Sequence, residues 1–360
     1  MTDWTGIGIS LLKAFLVFFG VVNTVPILVW AERRGSAFIQ HRLGPNRVNI
    51  AGITLFGLVQ PLADVVKFIW KEDYVPSHAN RAFYVLAPVM LLIPAAMTFA
   101  VIPFADDLMI AGRAIKMQVA DLNVGILYIF ALTSLAVYGV VLAGWSSNNK
   151  YSLLGAIRSS AQMISYELAL GLSVVGILMI YGSVQLDDIV RGQGELLLGV
   201  LPKWGIVTQP LAFFLFLAAI FAESNRLPFD LPEAENELVV GYHTEYSAMK
   251  FAIFFMAEYM AMVTGAMLVV TLFFGGWQIP WVESAELKAA VGDIPAALLQ
   301  LGAFSAKVLF FLWLFIWVRW TLPRFRYDQL MRLGWKAILP LALANVFVTG
   351  IVLFFRQVGR

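Results

Sequence analysis

Eight apolar runs, each near the about 20 residues that a helix needs to cross a bilayer, constrain this chain before any other feature does. They fall at 11–30, 83–103, 121–143, 161–181, 207–222, 250–274, 303–322 and 338–355. Hydrocarbon offers no water to backbone N–H and C=O groups, so each run must close its own hydrogen bonds as an α-helix. The expectation is an all-α integral membrane protein with eight transmembrane helices in a single membrane domain over 1–360. Composition agrees: 60% hydrophobic against 13% charged residues, with a mean hydropathy of +0.80, excludes an ordinary soluble fold. The fifth run is the shortest and needs 207–209, or protein-lined space at its end, to complete a crossing. The first run has Asp3 and no base before Lys13, and ends in Glu32-Arg33-Arg34 with no small-residue cleavage site. It reads as a retained helix rather than a removed signal.

Several chemistries are excluded early. The chain has no cysteine, hence no disulfide and no Cys-ligated iron–sulfur cluster of its own. His41, His78 and His243 lie outside the apolar runs, so no facing histidine pair offers itself to a haem. There is no Walker A sequence, no dinucleotide glycine fingerprint and no HExxH spacing. No metal site, no catalytic residue and no nucleic-acid partner is expected.

The connections carry more information. Lys and Arg concentrate in the first, third, fifth and seventh of them. The positive-inside rule puts those on the cytoplasmic side of a bacterial inner membrane and both termini in the periplasm. Within the first connection, 52–70 is apolar but carries Gln60, Asp64 and Lys67 at helical spacing, followed by Lys71. That pattern predicts an amphipathic surface helix; the alternative is a ninth, broken span, which would reverse the parity of everything after it. Asp106-Asp107, in a periplasmic connection, reads as part of a solvated loop.

The cytoplasmic loop 223–249 is the most unusual stretch. It holds Glu223, Asp230, Glu233, Glu235, Glu237 and Glu245 against one arginine, Arg226, between two apolar runs. A carboxylate near hydrocarbon costs about 2.5–3.5 kcal/mol even on a permissive scale, so such acids are functional candidates unless solvated or paired. Asp230 and Glu233 have capping-box spacing with Pro232 between them, which predicts a short helix with Glu233 and Glu237 on one face. A plain solvated linker would gain nothing from that like-charge pair. Two further acids stand inside spans. Glu167 lies beyond Arg158, Gln162 and Ser165 in the fourth, and Glu258 lies beyond Lys250 in the sixth, at similar depth; the plainer reading of Glu167 is a structural pair with a neighbouring base. With Glu32 and the loop acids they form a string of ionisable groups running inward, the arrangement by which protons cross apolar territory. Arg319, Arg324 and Arg326 close the seventh span and supply pairing bases.

The sequence AESNRLPFDLPEAENELVVGYHTEYS from Ala222, together with Glu32–Asn46, Gln60–Asp64, Arg158–Gly171 and Val318–Pro340, resembles the quinone-site membrane subunit of proton-pumping NADH-quinone oxidoreductase, respiratory complex I. The resemblance implies a subunit of a multi-subunit enzyme that is not catalytic alone. It implies ubiquinone or menaquinone as substrate, with NADH, FMN and iron–sulfur clusters on partner subunits. The implied partners are peripheral-arm quinone-site and iron–sulfur subunits, small membrane subunits and antiporter-like membrane subunits. It implies that Arg33, Arg34, Arg42, Asp64, Arg226 and Phe229 lie at the quinone tunnel or its lip. Glu32, Glu167, Glu223, Asp230, Glu233, Glu235, Glu237, Glu245 and Glu258 would then couple quinone reduction to proton translocation. The related alternative is the equivalent subunit of a membrane-bound hydrogenase or ferredoxin-driven pump without a quinone. A free-standing transporter would show an internal repeat of helices, which is absent here. One departure from the family is Ala248, where many members have glycine.

Overall fold

The computed structural model describes residues 4–110, 112–197, 199–231 and 235–358. Its helices, in chain order, are α1 (Trp4–Ile39), α2 (Gln60–Trp70), α3 (Arg81–Met97), α4 (Gly125–Ser146), α5 (Lys150–Tyr181), α6 (Leu186–Gly192), α7 (Gly205–Thr208) and α8 (Pro210–Glu223). After the acidic loop come α9 (Glu235–Leu238), α10 (Ala248–Phe273), α11 (Ser284–Val291), α12 (Asp293–Thr321), α13 (Tyr327–Leu333) and α14 (Leu339–Val358). A π-helical turn, Gly334–Ile338, joins α13 to α14 without a break. Among the described residues extended structure is limited to short hairpins, such as Leu108–Ile110 with Arg113–Ile115, and an isolated bridge between Ile50 and Ile53.

Among the described residues seven helices are long and apolar enough to cross a membrane, and the apolar α8 is shorter. The chain is thus a multi-pass helical membrane protein. The helices outrun the apolar stretches that announced them. α1 continues past Trp30 to Ile39, because nothing between Glu32 and Ala37 breaks a helix and the turn residues Gly44-Pro45 come later. Glu32, Arg33 and Arg34 are therefore helical, not part of a loop. α5 starts at Lys150, where the Asn149 side chain accepts from the Tyr151 N–H at 2.9 Å. α2 is shorter than the 52–70 expected: residues 55–57 form a separate 3₁₀ turn. Its eleven residues rise about 16 Å, roughly half a hydrocarbon core, too little for a ninth crossing.

α5 and α10 organise the packing. α5 lies against α4, α8 and α14, while α10 meets α1, α3, α8 and α12. α10 is the most enclosed of the long helices and α1 the least. Small residues allow the close approaches: a Cβ on Gly155 of α5 would sit 2.8 Å from Gly241 Cα, so the backbone at Gly241, with φ of 66°, lies directly on α5. That contact sets the buried Tyr242 and His243 above α10.

At the face carrying the chain ends, Asp106 is buried, a correction to the expected solvated loop. α6 and α11 close over it. Its carboxylate takes Arg191 at 2.7 Å, Lys288 at 2.7 Å and the Ser284 hydroxyl at 2.6 Å, and Arg191 also reaches Asp187 and Asp107. Burial disfavours the charge on Asp106, but Lys288, Ser284, the Asp107 N–H and Arg191 outweigh it and hold the carboxyl below its ordinary range.

Candidate functional site

A cavity of about 760 Å³ opens between α1, α2, α10 and the end of α12. Its wall is largely apolar, with Phe68, Phe251, Phe255 and Trp320, and its charged lining groups are Glu32, Arg33, Arg42, Asp64 and Arg319. An apolar chamber of this size with a few convergent polar groups suits a small amphiphile. Arg33 holds Asp64 of α2 at 2.5 Å, and Gln60 donates to the same carboxylate at 3.2 Å. Arg34 turns away to the Phe56 carbonyl at 2.5 Å, lying over the Phe38 and Phe56 rings.

Glu32 is the innermost charged group of that wall, 5% exposed. One oxygen accepts from Arg319 at 2.5 Å; the other accepts from Arg226 at 3.2 Å and from the Tyr259 hydroxyl at 2.7 Å. The Arg226 guanidinium lies 4.1 Å from the Tyr259 ring centre, a cation–π contact strengthened by the burial of both groups. Burial opposes the charge on Arg226, but Tyr259, Glu32 and Glu258 outweigh it and raise its pKa above the ordinary value. The arginine stays charged.

A second, smaller cavity of about 70 Å³ lies among α3, α4, α5, α8 and α10. Glu167, Glu223 and Glu258 line it, with Thr98, Thr133 and Tyr242, and no Lys or Arg is among its described lining residues. A water needs about 10–15 Å³ on this measure, so several fit. Glu167 accepts from the Ser134 hydroxyl rather than from a base, and Tyr242 donates to Glu258 at 3.4 Å. Glu223 Oε2 is buried with no hydrogen-bond partner among the described residues. Glu258 and Tyr259 are consecutive on α10, about 100° apart around its axis. One therefore faces the small cavity and the other the large one, with Arg226 between.

The rest of the loop is tied down around this pair of cavities. Gln162 of α5 donates to the Ala222 and Phe229 carbonyls at 2.8 and 2.7 Å, holding 222–229 in place. Asp230 is buried and pairs with Arg324 at 2.8 Å. Phe229 packs between Tyr166 and Phe325 rather than on the large cavity's lining. Glu237, just past the start of α9, reaches Arg158 at 2.5 Å, and Glu245 accepts from Asn149 at 2.6 Å. Tyr84 donates to the Glu245 carbonyl at 2.7 Å and stacks on Tyr246 with centroids 4.1 Å apart. Burial pushes the Tyr246 phenol up to about 12, so it stays a donor, here to the Tyr84 carbonyl. Arg326 begins α13 with its side chain exposed. Glu233 and the capping box it would form lie outside the described residues; Glu235 is described only as the first residue of α9.

Sequence reasoning singled out most of these groups but missed Tyr259, Tyr242 and Ser134. Tyr259 had a signal, a phenol directly after an intramembrane acid. Ser134 had none, since a hydroxyl in an apolar helix commonly bonds its own backbone, as Ser134 also does at Phe130.

Residues 12–350 match the family model described as NADH dehydrogenase. The chain is 52% identical over 350 residues to H subunit 1 of NADH-quinone oxidoreductase from Geobacter metallireducens, covering 97% of this chain and 98% of that protein. It is 50% identical to the H subunit of the same enzyme from Salinibacter ruber, covering 98% and 97%. To NADH-quinone oxidoreductase subunit 8 of Rhodothermus marinus it is 51% identical, covering 95% and 97%.

Proposed function

The chain belongs to the NADH dehydrogenase family that includes the H subunit of NADH-quinone oxidoreductase, and from that premise we propose that its large cavity receives a quinone head group while the acids of the small one couple its reduction to proton translocation. It is a membrane subunit of a multi-subunit enzyme, not catalytic alone. The observation that carries the reading is the shared wall. Glu32, Arg226 and Tyr259 form one bonded unit that lines the large cavity through Glu32 and Tyr259, while Arg226, buried off both linings, interacts electrostatically with Glu258 of the small one.

Electrons come from iron–sulfur clusters on peripheral subunits, fed by NADH and FMN there. Reduction adds two electrons to ubiquinone or menaquinone, and two protons complete the quinol. The negative charge that precedes protonation draws on Arg33 and Arg319, which otherwise serve Asp64 and Glu32. With less of Arg319, Glu32 draws Arg226 more strongly and away from Glu258, which favours protonated Glu258. Three carboxyl groups around one small cavity with no basic side chain in its described lining repel one another when ionised, which favours the set holding at least one proton. When the protonated quinol no longer holds Arg319, that arginine returns to Glu32, Arg226 moves back beside Glu258, and the proton is released. Such coupling needs two arrangements of the Glu32–Arg226–Tyr259 unit, not proximity alone.

In this reading α8 completes an eighth crossing within protein, and α2 lies at the membrane surface as one wall of the quinone entrance. The acidic loop faces the cytoplasm of a bacterial cell and docks the peripheral subunits; both termini face the periplasm. Antiporter-like membrane subunits receive the signal through Glu167 and the loop acids. The test is coupled quinone reductase activity and bound quinone in the purified enzyme. Quinone should co-purify and be displaced by head-group analogues, and Asp230→Ala or Glu235→Ala should cut coupled turnover. Normal turnover and pumping with both acids replaced would end the proposal, and absence of any quinone dependence would favour the hydrogenase-type relative.

A further inference from the structure

A polar side chain stands on the outward face of α1, the least enclosed of the long helices. Asn23 is exposed near the middle of the apolar run 11–30. Leu12, Leu16, Phe19, Asn23 and Ile27 recur at steps of three and four residues and so share one side of the helix. The four apolar members are each at least half exposed. In a membrane that side meets either lipid or another helix.

Lipid does not meet the bonding capacity of that amide. A primary amide carries two N–H donors and an oxygen with two lone pairs. One N–H of Asn23 goes to the Phe19 carbonyl of its own helix at 2.7 Å, and the second N–H and the oxygen have no partner among the described residues. The adjacent Thr24 differs: its hydroxyl gives its one proton to the Gly20 carbonyl at 2.8 Å, so α1 itself satisfies it. Acyl chains offer neither donor nor acceptor, and a polar group left so in hydrocarbon is costly. The nearest charged groups along α1, Lys13 and Glu32, are about 15 and 14 Å away along the axis, so Asn23 is too deep to share their surroundings. There is also room beside it: a Cβ on Gly20, one turn away, would meet nothing within 4 Å.

The geometry points to a docking face: a membrane helix of a neighbouring subunit lies on α1 over Leu16, Gly20, Asn23 and Ile27, and a side chain on it that both donates and accepts, an amide or a hydroxyl, bonds the Asn23 amide. Polar side chains between apolar helices bond one another in this way, and the multi-subunit enzyme to which the chain belongs supplies the partner. A lipid tail would cover the apolar members equally but brings no hydrogen bond to the amide. Val22, Val25, Pro26 and Val29, which line the large cavity, lie on a different side of α1, so the proposal stands without the quinone reading.

A photo-reactive benzophenone side chain is placed at position 27 of the chain, with Asn23 unchanged, and the assembled enzyme is illuminated in its own membranes, purified, and its adducts mapped. The adduct should fall on a membrane helix of another subunit of the enzyme, within about one turn of an amide or hydroxyl side chain. Asn23→Leu should then speed loss of that subunit from the enzyme in detergent roughly three- to fifteenfold, the range of one hydrogen bond between membrane helices, while Asn23→Gln keeps most of the retention. Asn23 is exposed in this chain, so its replacement leaves the chain's own packing intact; where Asn23→Leu nonetheless prevents assembly, the adduct from position 27 decides alone. Adducts to lipid only, to a peripheral subunit, or to a helix without such a side chain at that level, or a rate of loss unchanged in Asn23→Leu, would each overturn the proposal.

Discussion

Buried carboxylates occur at both faces of the bundle, and their surroundings differ. Asp106 meets a lysine, an arginine and a hydroxyl, so its negative charge is satisfied by fixed donors. Glu167, Glu223 and Glu258 instead share a cavity with room for water and no basic side chain in its described lining. The first arrangement locks three connections together. The second leaves charge that must be answered by protons, water or a moving cation. Burial of an acid therefore says little about function by itself; what surrounds its oxygens decides.

The largest effect that separates the two regions is expected at Arg226. Replacing it by methionine leaves Glu32 buried with fewer donors, and breaking such a pair costs about 3–5 kcal/mol. Thermal unfolding of the assembled enzyme should move down, with quinone reductase activity nearly lost; retention of full activity would break the comparison. Asp106→Asn should cost about 1–3 kcal/mol of stability, because the partly exposed Arg191 and Lys288 keep access to water, and leave turnover per assembled enzyme unchanged. The pH dependence follows from the depressed pKa of Asp106. Its contribution is fully present above the ordinary carboxylate value of 3.8 and fades as pH falls through the lower folded value, and Asp106→Asn should remove that part of the acid-side loss in a melting series.

Glu223→Gln should behave oppositely to Asp106→Asn. It replaces a buried carboxyl of which one oxygen, Oε2, has no hydrogen-bond partner among the described residues, so stability is unchanged or rises by about 1 kcal/mol, while proton pumping per electron pair falls. The smallest effect is at Ala248, whose φ of 51° lies in the left-handed region that disfavours a Cβ. Ala248→Gly should stabilise by about 1 kcal/mol, measured as a small rise in unfolding temperature with activity intact.

The helices were legible because hydrocarbon leaves a long apolar run no other structure. Their ends were less so: apolarity marks the depth of lipid, whereas α1 and α5 end where caps and turn residues stop them, beyond Trp30 and before Ala161. The identity of the functional acids was legible from their cost in an apolar setting. Their partners were not. Glu32 and Arg226 are 194 residues apart, and periodicity tells which face of a helix is polar, not which helix comes to meet it. Arg319 and Arg324 could be named as pairing bases but not assigned to Glu32 and Asp230. Asp106 looked like a loop acid because the elements that bury it, α6 and α11, are short and polar and reveal themselves only in packing.

The central claim is that reduction of a quinone in the large cavity changes the protonation of carboxyls around the small one. Redox-triggered infrared difference spectroscopy of the assembled enzyme reads this directly through the protonated-carboxyl band. The band should change on quinone reduction, and the change should be lost in Glu223→Gln and in Arg226→Met. A band that is silent on reduction, or one that responds equally in both variants, would contradict the account.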